Sequence, residues 1–189
     1  MELSNLNIKN GLCISLGANI DSKFGSPIES LLICKPKLEE IINTWGGNNI
    51  NKKKEEKNKF HANFFWSSIY ETLPHGVENE QPNYLNTLLL TKSNSFPKIS
   101  NKNAKLLLNE LKKLEKFFGR EKTPNGKKWL SRCLDLDILW WEDLHTVDEE
   151  LTLPHPRLVN RNFVITPLSE ILSRSQKIKK FDYPKWSIR

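Results

Sequence analysis

The sequence predicts an α/β protein of the α+β type, built on a ferredoxin-like βαββαβ core with a C-terminal helical extension. Three observations lead to this prediction. Four short segments are rich in the apolar, β-branched and aromatic residues that strands prefer. Two longer segments, one after the first strand and one after the third, carry apolar residues at helical spacing. A mostly apolar segment after the last strand predicts the helical extension.

The first strand is predicted at residues 11–17, an apolar run that ends in a Gly-Ala-Asn turn signal. The first helix follows, with Ser26 as its cap and Pro27 in its first turn. Because proline lacks the N–H that a helix interior requires, Pro36 is expected to kink or divide this helix. The Trp-Gly-Gly run at residues 45–47 is predicted to end it.

The later elements are predicted from the same two kinds of periodicity. They are a second strand at residues 64–71, a third strand at 84–91, a second helix at 102–118, a fourth strand at 132–140 and a helical tail at 163–172. Apolar residues recur along the second helix, and Gly119 is predicted to stop it. A polar loop at residues 121–131 separates this helix from the fourth strand.

The composition fits a single globular domain, predicted to span residues 1–189. Hydrophobic residues make up 38% of the chain and charged residues 27%, and no apolar run approaches the ~18 residues that cross a membrane. The N-terminus lacks the basic and apolar stretches of a signal peptide. Cys13, Cys34 and Cys133 lack paired metal-binding spacing, so buried free thiols and a cytoplasmic location are expected.

The charge balance predicts a polyanionic partner. The chain has 29 Lys and Arg against 22 Asp and Glu, a net charge of +7. Such a surplus suits a nucleotide or a nucleic acid. The charged run at residues 48–60 mixes both signs and has no interleaved aromatic residues on which bases could stack. We therefore predict that this run is a solvated loop and not a nucleic-acid surface.

The fourth strand carries the clearest chemical signal. Apolar residues at positions 134, 136 and 138 alternate onto one face, which requires a hydrophobic core. Asp135 and Asp137 alternate onto the other, about 7 Å apart along the strand. Two carboxylates this close raise each other's cost of ionisation, and a multivalent cation such as Mg²⁺ removes that cost. The alternative is an acidic outer face in open water.

Basic residues surround the acidic strand in the sequence. Arg120 and three lysines at positions 122, 127 and 128 precede it, and Arg157 and Arg161 follow it. Carboxylates suit a metal ion and cations suit phosphate, so the combination favours a nucleotide site over a solvated acidic face.

Five motifs occur in a fixed order along most of the chain. The acidic strand reads RCLDLDILW at residues 132–140, and it is followed by LPHPR at 153–157 and RNFV at 161–164. It is preceded by SLGAN at 15–19 and QPNYLN at 81–86. In this order the motifs resemble the 6-hydroxymethyl-7,8-dihydropterin pyrophosphokinase family of folate biosynthesis.

The resemblance implies an ATP-dependent diphosphotransferase. Such an enzyme moves the β- and γ-phosphates of ATP onto the hydroxymethyl group of the pterin and releases AMP. It also implies two Mg²⁺ ions as cofactors, ATP as co-substrate, and small-molecule partners only, without nucleic acid or membrane. A monomer is expected.

The resemblance also assigns roles to residues of this chain. Asp135 and Asp137 match the metal ligands. Arg120 and Arg132 match the arginines that hold the phosphates and act with the aspartates in catalysis. The matches at the nucleotide site are Lys112, Lys122, Trp129, Ile138, His155 and Arg161. The matches at the pterin pocket are Thr72, Tyr84, Asn86, Trp129 and Phe163.

Most of these residues, taken alone, also have an ordinary structural interpretation. Arg120 suits the end of a helix through the helix dipole. His155, between two prolines, suits a turn, and Tyr84 and Phe163 suit a core. Trp129 lies in a polar loop and is harder to explain as a core residue. For Trp129 the residue and its position favour the functional interpretation even without the resemblance.

The loop at residues 121–131 is predicted to act as a lid. It has no apolar period, a Pro-Asn-Gly turn signal, and three lysines against one glutamate. Bound phosphates would supply the counter-charge that orders it.

Other classes of function remain open from the residues themselves. A ferredoxin-like sheet can bind RNA on exposed aromatic side chains. An Asp-x-Asp pair also serves metal-dependent nucleases and glycosyl-type transferases. A family member that binds nucleotide without catalysis is a further alternative.

Overall fold

The computed structural model describes residues 11–48, 60–74, 80–121, 130–158 and 161–175. Its elements in chain order are β1 (Leu12–Ala18), α1 (Pro27–Asn48), β2 (Asn63–Trp66), β3 (Tyr70–Thr72), β4 (Tyr84–Lys92), α2 (Asn101–Phe117), β5 (Asp135–Trp141), β6 (Thr146–Val147), β7 (Thr152–Leu153) and α3 (Asn162–Ser175). The prediction of one domain over residues 1–189 stays a prediction.

The main sheet is antiparallel, with the strand order β2-β4-β1-β5 and with β3 also paired to β4. β2 and β3 together take the place of the predicted second strand. Counted as the four predicted strands, the order across the sheet is second, third, first and fourth. This is the arrangement of a βαββαβ chain. The predicted α+β fold with a ferredoxin-like core and a C-terminal helix is confirmed.

The prediction of one continuous second strand is wrong. β2 ends at Trp66 and β3 begins at Tyr70, and the three residues between them lie opposite only two residues of β4. Ser67 in this gap is buried, and its hydroxyl accepts the Leu88 N–H at 2.9 Å in place of a backbone carbonyl. This side-chain hydrogen bond interrupts the ladder and produces a bulge.

α1 is a single helix that contains Pro36, so of the two effects predicted for this proline, a kink or a division, the division does not occur. Pro36 and Leu32, whose carbonyl loses its partner at this point, both lie on the exposed side of the helix. Water can therefore satisfy that carbonyl.

The N-terminus of α1 is as predicted, since the helix begins at Pro27 directly after Ser26. The Ser26 N–H and hydroxyl both donate to Glu29 Oε2, at 2.8 and 2.6 Å.

α2 follows its prediction closely. Ser100 caps its N-terminus by accepting the Asn103 N–H at 3.2 Å. Gly119, with φ of +103°, lies just beyond its C-terminus in a conformation that favours glycine. Two of the apolar positions counted toward the helical pattern are not core residues, because Leu106 is 45% exposed and Phe117 is 43% exposed.

The sheet separates two hydrophobic clusters. The larger one lies between the sheet and helices α1 and α2, and the smaller one lies under α3.

The three cysteines are free and buried, as expected. Within the described ranges, no helix is long and apolar enough to span a membrane. The β6–β7 hairpin was not predicted, because its strands have two residues each and carry no periodicity.

β5 contains a bulge near its end. Cys13 of β1 lies opposite Trp140, but the next residue, Ile14, lies opposite Ile138, so Leu139 has no partner on β1. Leu139 and Trp140 are adjacent in sequence, yet both pack in the cluster under α3. The bulge therefore ends the strict alternation that holds in the first half of the strand.

Candidate active site

A cavity of about 550 Å³ is lined by residues from β1, β3, β4 and β5 and from the neighbouring helices α2 and α3. It contains eleven of the predicted site residues, namely Thr72, Tyr84, Asn86, Lys112, Arg120, Arg132, Asp135, Asp137, His155, Arg161 and Phe163. The fold thus brings together residues that are distant in the sequence.

The two aspartates of β5 face this cavity. The predicted alternation is confirmed, because Asp135 and Asp137 line the cavity while the apolar residues at positions 134, 136 and 138 are buried in the larger cluster. Gly17 of β1 lies opposite Asp135, and a Cβ at Gly17 would come within 3.0 Å of Asn86 Oδ1. Glycine at this position therefore leaves room for the Asn86 side chain, which also lines the cavity.

The two carboxylates have different partners. Asp135 Oδ1 accepts Arg120 Nη1 at 2.8 Å and lies 2.5 Å from Arg132 Nη1. In the described part of the chain, the cation nearest to Asp137 is Arg161, at 4.0 Å. Partial burial and, after it, the charge of Asp135 hold the pKa of Asp137 above its ordinary value, against the opposing effect of the arginines. Asp135 is thus charge-paired within the protein, whereas Asp137 is only weakly paired.

Glu115 is a site residue that the sequence interpretation missed. It lies on α2, 7% exposed, where it forms an ion pair with Arg120 and accepts the Leu136 N–H at 2.7 Å. The Glu115 carboxylate therefore links α2 to β5 and also binds the Arg120 side chain. A signal was present in the sequence, since position 115 lies four residues after Leu111 on the apolar side of the helix.

The ionisation of Glu115 gives a testable pH dependence of stability. Burial is the main cause that raises its pKa from 4.5 to about 7. Between these values the unfolded chain releases a proton that the folded protein retains, so the free energy of unfolding should fall as the pH rises. We expect this component, at most about 3 kcal/mol, to be absent in Glu115→Gln.

Denaturant unfolding at pH 5 and pH 7.5 measures this difference. Glu110→Gln is the matched control, because Glu110 lies on the same helix with 44% of its side chain exposed. The control should keep the pH dependence of the unaltered chain. If Glu115→Gln kept it as well, Glu115 would not be the group responsible.

Asn19 is a second residue for which the sequence indicated only a turn. It is 2% exposed, and its Oδ1 accepts the Arg132 N–H at 2.7 Å while its own N–H donates to Arg132 O at 2.9 Å. Its Nδ2 donates to Pro82 O at 3.1 Å. Asn19 therefore fixes the backbone of Arg132 to the end of β1 and to the segment before β4.

His155 is held at the cavity by the bulge of β5. Its N–H donates to the Leu139 carbonyl at 2.7 Å, at the residue that has no partner on β1. Burial and the nearby charges of Arg161 and Arg157 lower the His155 pKa to about 4. The ring is neutral at pH 7. Because Nδ1 accepts the Arg157 N–H at 3.2 Å, Nε2 carries the proton and can act as a donor.

A second part of the cavity combines polar groups with an aromatic ring. Thr72 on β3 accepts Asn86 Nδ2 at 2.8 Å, and Tyr84 donates its hydroxyl to the Leu130 carbonyl at 3.2 Å. The Phe163 ring lies at the start of α3 with the Arg161 guanidinium 5.1 Å from its centre. These side chains present a flat apolar surface beside groups that can form hydrogen bonds.

Within the described part of the chain, Ile138 is the one predicted site residue that does not line the cavity. The Ile138 side chain lies in the core and is 3% exposed, so only its backbone is available for a ligand. Lys122 and Trp129 lie outside the described residues, as do most of the predicted lid at 121–131 and most of the charged run at 48–60.

An α+β fold that gathers carboxylates and arginines in one cavity defines an enzyme of the class that transfers phosphoryl groups from nucleotides. A sequence profile of the family described as 7,8-dihydro-6-hydroxymethylpterin-pyrophosphokinase matches residues 13–173. The chain therefore belongs to this family. The resemblance drawn from the ordered motifs is confirmed, and the predicted enzyme class and reaction are those of the family.

Curated relatives carry the same designation. The 2-amino-4-hydroxy-6-hydroxymethyldihydropteridine pyrophosphokinase of Haemophilus influenzae is 39% identical over 160 residues, which is 85% of this chain and 80% of that protein. The Bacillus subtilis protein of the same name is 36% identical over 59% of this chain and 60% of its own length. The folate synthesis bifunctional protein of Arabidopsis thaliana is 39% identical over 56% of this chain, which spans 20% of that protein.

Proposed function

We propose that this chain transfers pyrophosphate from ATP to the hydroxymethyl group of 6-hydroxymethyl-7,8-dihydropterin, releasing AMP, in folate biosynthesis. The observation that carries the proposal is the division of one cavity into two chemically distinct parts. One part gathers two carboxylates and three arginines, and the other places the Phe163 ring beside the Thr72 and Asn86 side chains. Phosphates suit the first part and a flat heterocycle suits the second.

We propose Asp135 and Asp137 as ligands of two Mg²⁺ ions. Carboxylate oxygens are the donors that Mg²⁺ prefers. Burial and, after it, the charge of Asp135 raise the pKa of Asp137, and a bound cation would offset both effects. Among the residues that the structure describes, no cluster of three or more His, Cys, Asp or Glu side chains could hold a metal. The remaining ligands would therefore be phosphate oxygens and water. When bound, Mg²⁺ supplies positive charge at the phosphates.

The reaction forms a bond between the hydroxymethyl oxygen and the β-phosphorus of ATP. It breaks the bond from that phosphorus to the oxygen that bridges to the α-phosphate, and AMP leaves with this oxygen. The contribution of the protein is mainly position and charge. Arg120 and Arg132 would hold the phosphates, Glu115 would orient Arg120, and Asn19 would fix the backbone of Arg132.

The remaining assignments extend the same proposal. His155 would donate a hydrogen bond from neutral Nε2 to a phosphate or nucleotide oxygen. Further nucleotide contacts are proposed for Lys112, Lys122, Trp129, Ile138 and Arg161. Pterin contacts are proposed for Thr72, Tyr84, Asn86, Trp129 and Phe163.

We propose that the chain acts as a cytoplasmic monomer on small molecules and without nucleic acid. Its buried free thiols suit a reducing compartment.

Separation of AMP from ADP tests this function. The chain is incubated with ATP, Mg²⁺ and 6-hydroxymethyl-7,8-dihydropterin, and each component is omitted in turn. We expect AMP and the pyrophosphorylated pterin in equal amounts, and only in the complete mixture. ADP as the product would contradict pyrophosphoryl transfer. Cleavage of RNA or DNA without pterin would instead indicate a metal-dependent nuclease.

A further inference from the structure

Glu170 of α3 binds the bulged segment between β2 and β3. Its Oε2 accepts the Ser68 N–H at 2.8 Å and the Tyr70 hydroxyl at 3.1 Å, and its Oε1 accepts the Ser68 hydroxyl at 2.7 Å. The Glu170 side chain is 16% exposed, and the more exposed Arg174 forms an ion pair with it from the same helix. Both carboxylate oxygens are therefore used to hold one short segment of chain.

The hydrogen bonds favour an ionised carboxylate. Burial raises the pKa of Glu170, but the hydrogen bonds from Ser68 and Tyr70 and the charge of Arg174 outweigh burial, and the pKa lies below its ordinary value. Charge-assisted hydrogen bonds of this kind are stronger and shorter than neutral ones. Glu170 is thus suited to fix the distance between its helix and the segment that it binds.

The two elements joined by Glu170 each carry a residue of the proposed pterin pocket. Phe163 lies on α3, seven residues or about two turns before Glu170. Thr72 ends β3, two residues after Tyr70. β3 has three residues and pairs only with β4 in the described sheet, so the sheet holds it from one side. The other face of the segment is held by α3, through Glu170.

The apolar residues of α3 bind the helix mainly to β4. Val164, Leu168 and Ile171 pack in the cluster that contains Leu88 and Leu90 of that strand. The hydrogen bonds of Glu170 add a polar link from the same helix to Ser68 and to Tyr70 of β3. Glu170 itself is not among the residues that line the cavity.

We propose that Glu170 is a positioning residue that sets the spacing between Thr72 on β3 and Phe163 on α3, and so determines how tightly the heterocyclic substrate binds. The inference rests on the proposed function, since it concerns the pterin part of that site. The phosphate-binding arginines are held by Glu115, Asp135 and Asn19, on the other side of the cavity. Loss of Glu170 should therefore affect one substrate and not the other.

Steady-state kinetics with each substrate varied in turn test this inference. In Glu170→Ala we expect the KM for the pterin to rise by on the order of tenfold, with the KM for ATP within about twofold of the unaltered chain. Glu170→Gln keeps one acceptor oxygen and should recover part of the loss. Arg174→Ala is the matched control, because it removes the ion pair but leaves the carboxylate on Ser68 and Tyr70, and both KM values should be unchanged.

Ser68→Ala and Tyr70→Phe provide milder variants, each lacking one donor to Glu170. Each should raise the pterin KM by a smaller factor, which keeps the test open if Glu170→Ala folds poorly. Equal increases in both KM values, or a fall in kcat alone, would overturn the inference in favour of a purely structural role. An unaltered chain that forms no pterin-dependent AMP would overturn the proposed function and the inference with it. If the unaltered chain is active and Glu170→Ala has the same pterin KM, the inference alone is overturned and the proposed function stands.

Discussion

Asp137→Asn should lower turnover by about 10³-fold or more while leaving the protein at least as stable as before. Among the described residues, Arg161 is the cation that lies within 4.0 Å of Asp137, and the pKa of Asp137 is raised by partial burial and by Asp135. Removing its charge therefore relieves repulsion in the metal-free protein. The loss of turnover follows from the proposed role as a metal ligand, because an amide binds Mg²⁺ more weakly than a carboxylate.

Asp135→Asn should lower turnover to a similar extent, but it should also destabilise the protein. Its carboxylate pairs with Arg120 at 2.8 Å and Arg132 at 2.5 Å, and both arginines would lose that partner. We expect about 1–2 kcal/mol of lost stability. The contrast between the two aspartates is sharper than the sequence predicts, since from the strand alone both substitutions relieve the same repulsion.

Turnover at saturating ATP and pterin, as a function of Mg²⁺ concentration, measures the functional effect, and denaturant unfolding without metal measures stability. Asp143→Asn is the control, because Asp143 is exposed and does not line the cavity. Near-normal turnover of either site variant at modest Mg²⁺ would exclude that aspartate as a metal ligand. A large loss of stability in Asp137→Asn would contradict the charge analysis.

Arg132→Ala should lower kcat by on the order of 10³-fold with little change in stability, because it removes one preorganised positive charge at the phosphates. The Arg132 backbone is bound by Asn19 through Oδ1 and N–H, so the chain path does not depend on the side chain. Arg120→Ala should lower kcat comparably. Above about pH 7 it should also destabilise the protein by about 3 kcal/mol, since Glu115 is then ionised and is left buried without its cation.

Single-turnover kinetics and denaturant unfolding measure the two effects separately. Lys113→Ala serves as the control for loss of one positive charge, because Lys113 pairs with Glu110 on the exposed side of α2. Its kcat and stability should stay close to those of the unaltered chain. If Arg132→Ala destabilised the protein as much as Arg120→Ala, the backbone link to Asn19 would not be sufficient to hold this segment.

The sequence predicted best the features that depend on local periodicity. Alternation along residues 134–138 placed the aspartates on one face and the apolar residues on the other, and the structure agrees. The order of strands followed from the order of elements. The roles of Glu115 and Asn19 depend on contacts over 21 and 113 positions, which no local pattern contains.

The local errors have a common cause. Pro36 does not end α1, because the unpaired carbonyl at Leu32 lies on the side of the helix that faces solvent. The second strand breaks after Trp66, because the Ser67 hydroxyl replaces a backbone acceptor. In both places a partner outside the regular backbone pattern satisfies the polar group. The partner is water at Leu32 and the Ser67 hydroxyl at Leu88, and propensity alone does not contain that information.

The bulge at Leu139 restricts where this strand can change length during evolution. An insertion or deletion between residues 134 and 138 would exchange the two faces, sending carboxylates into the core and apolar side chains into the cavity. At Leu139 the chain already contains one residue without a partner, so a change in length is absorbed there without turning Asp135 or Asp137. The same position carries the carbonyl that holds His155. A family member that lost the extra residue would keep its acidic pair in place and would have to hold this histidine by another contact.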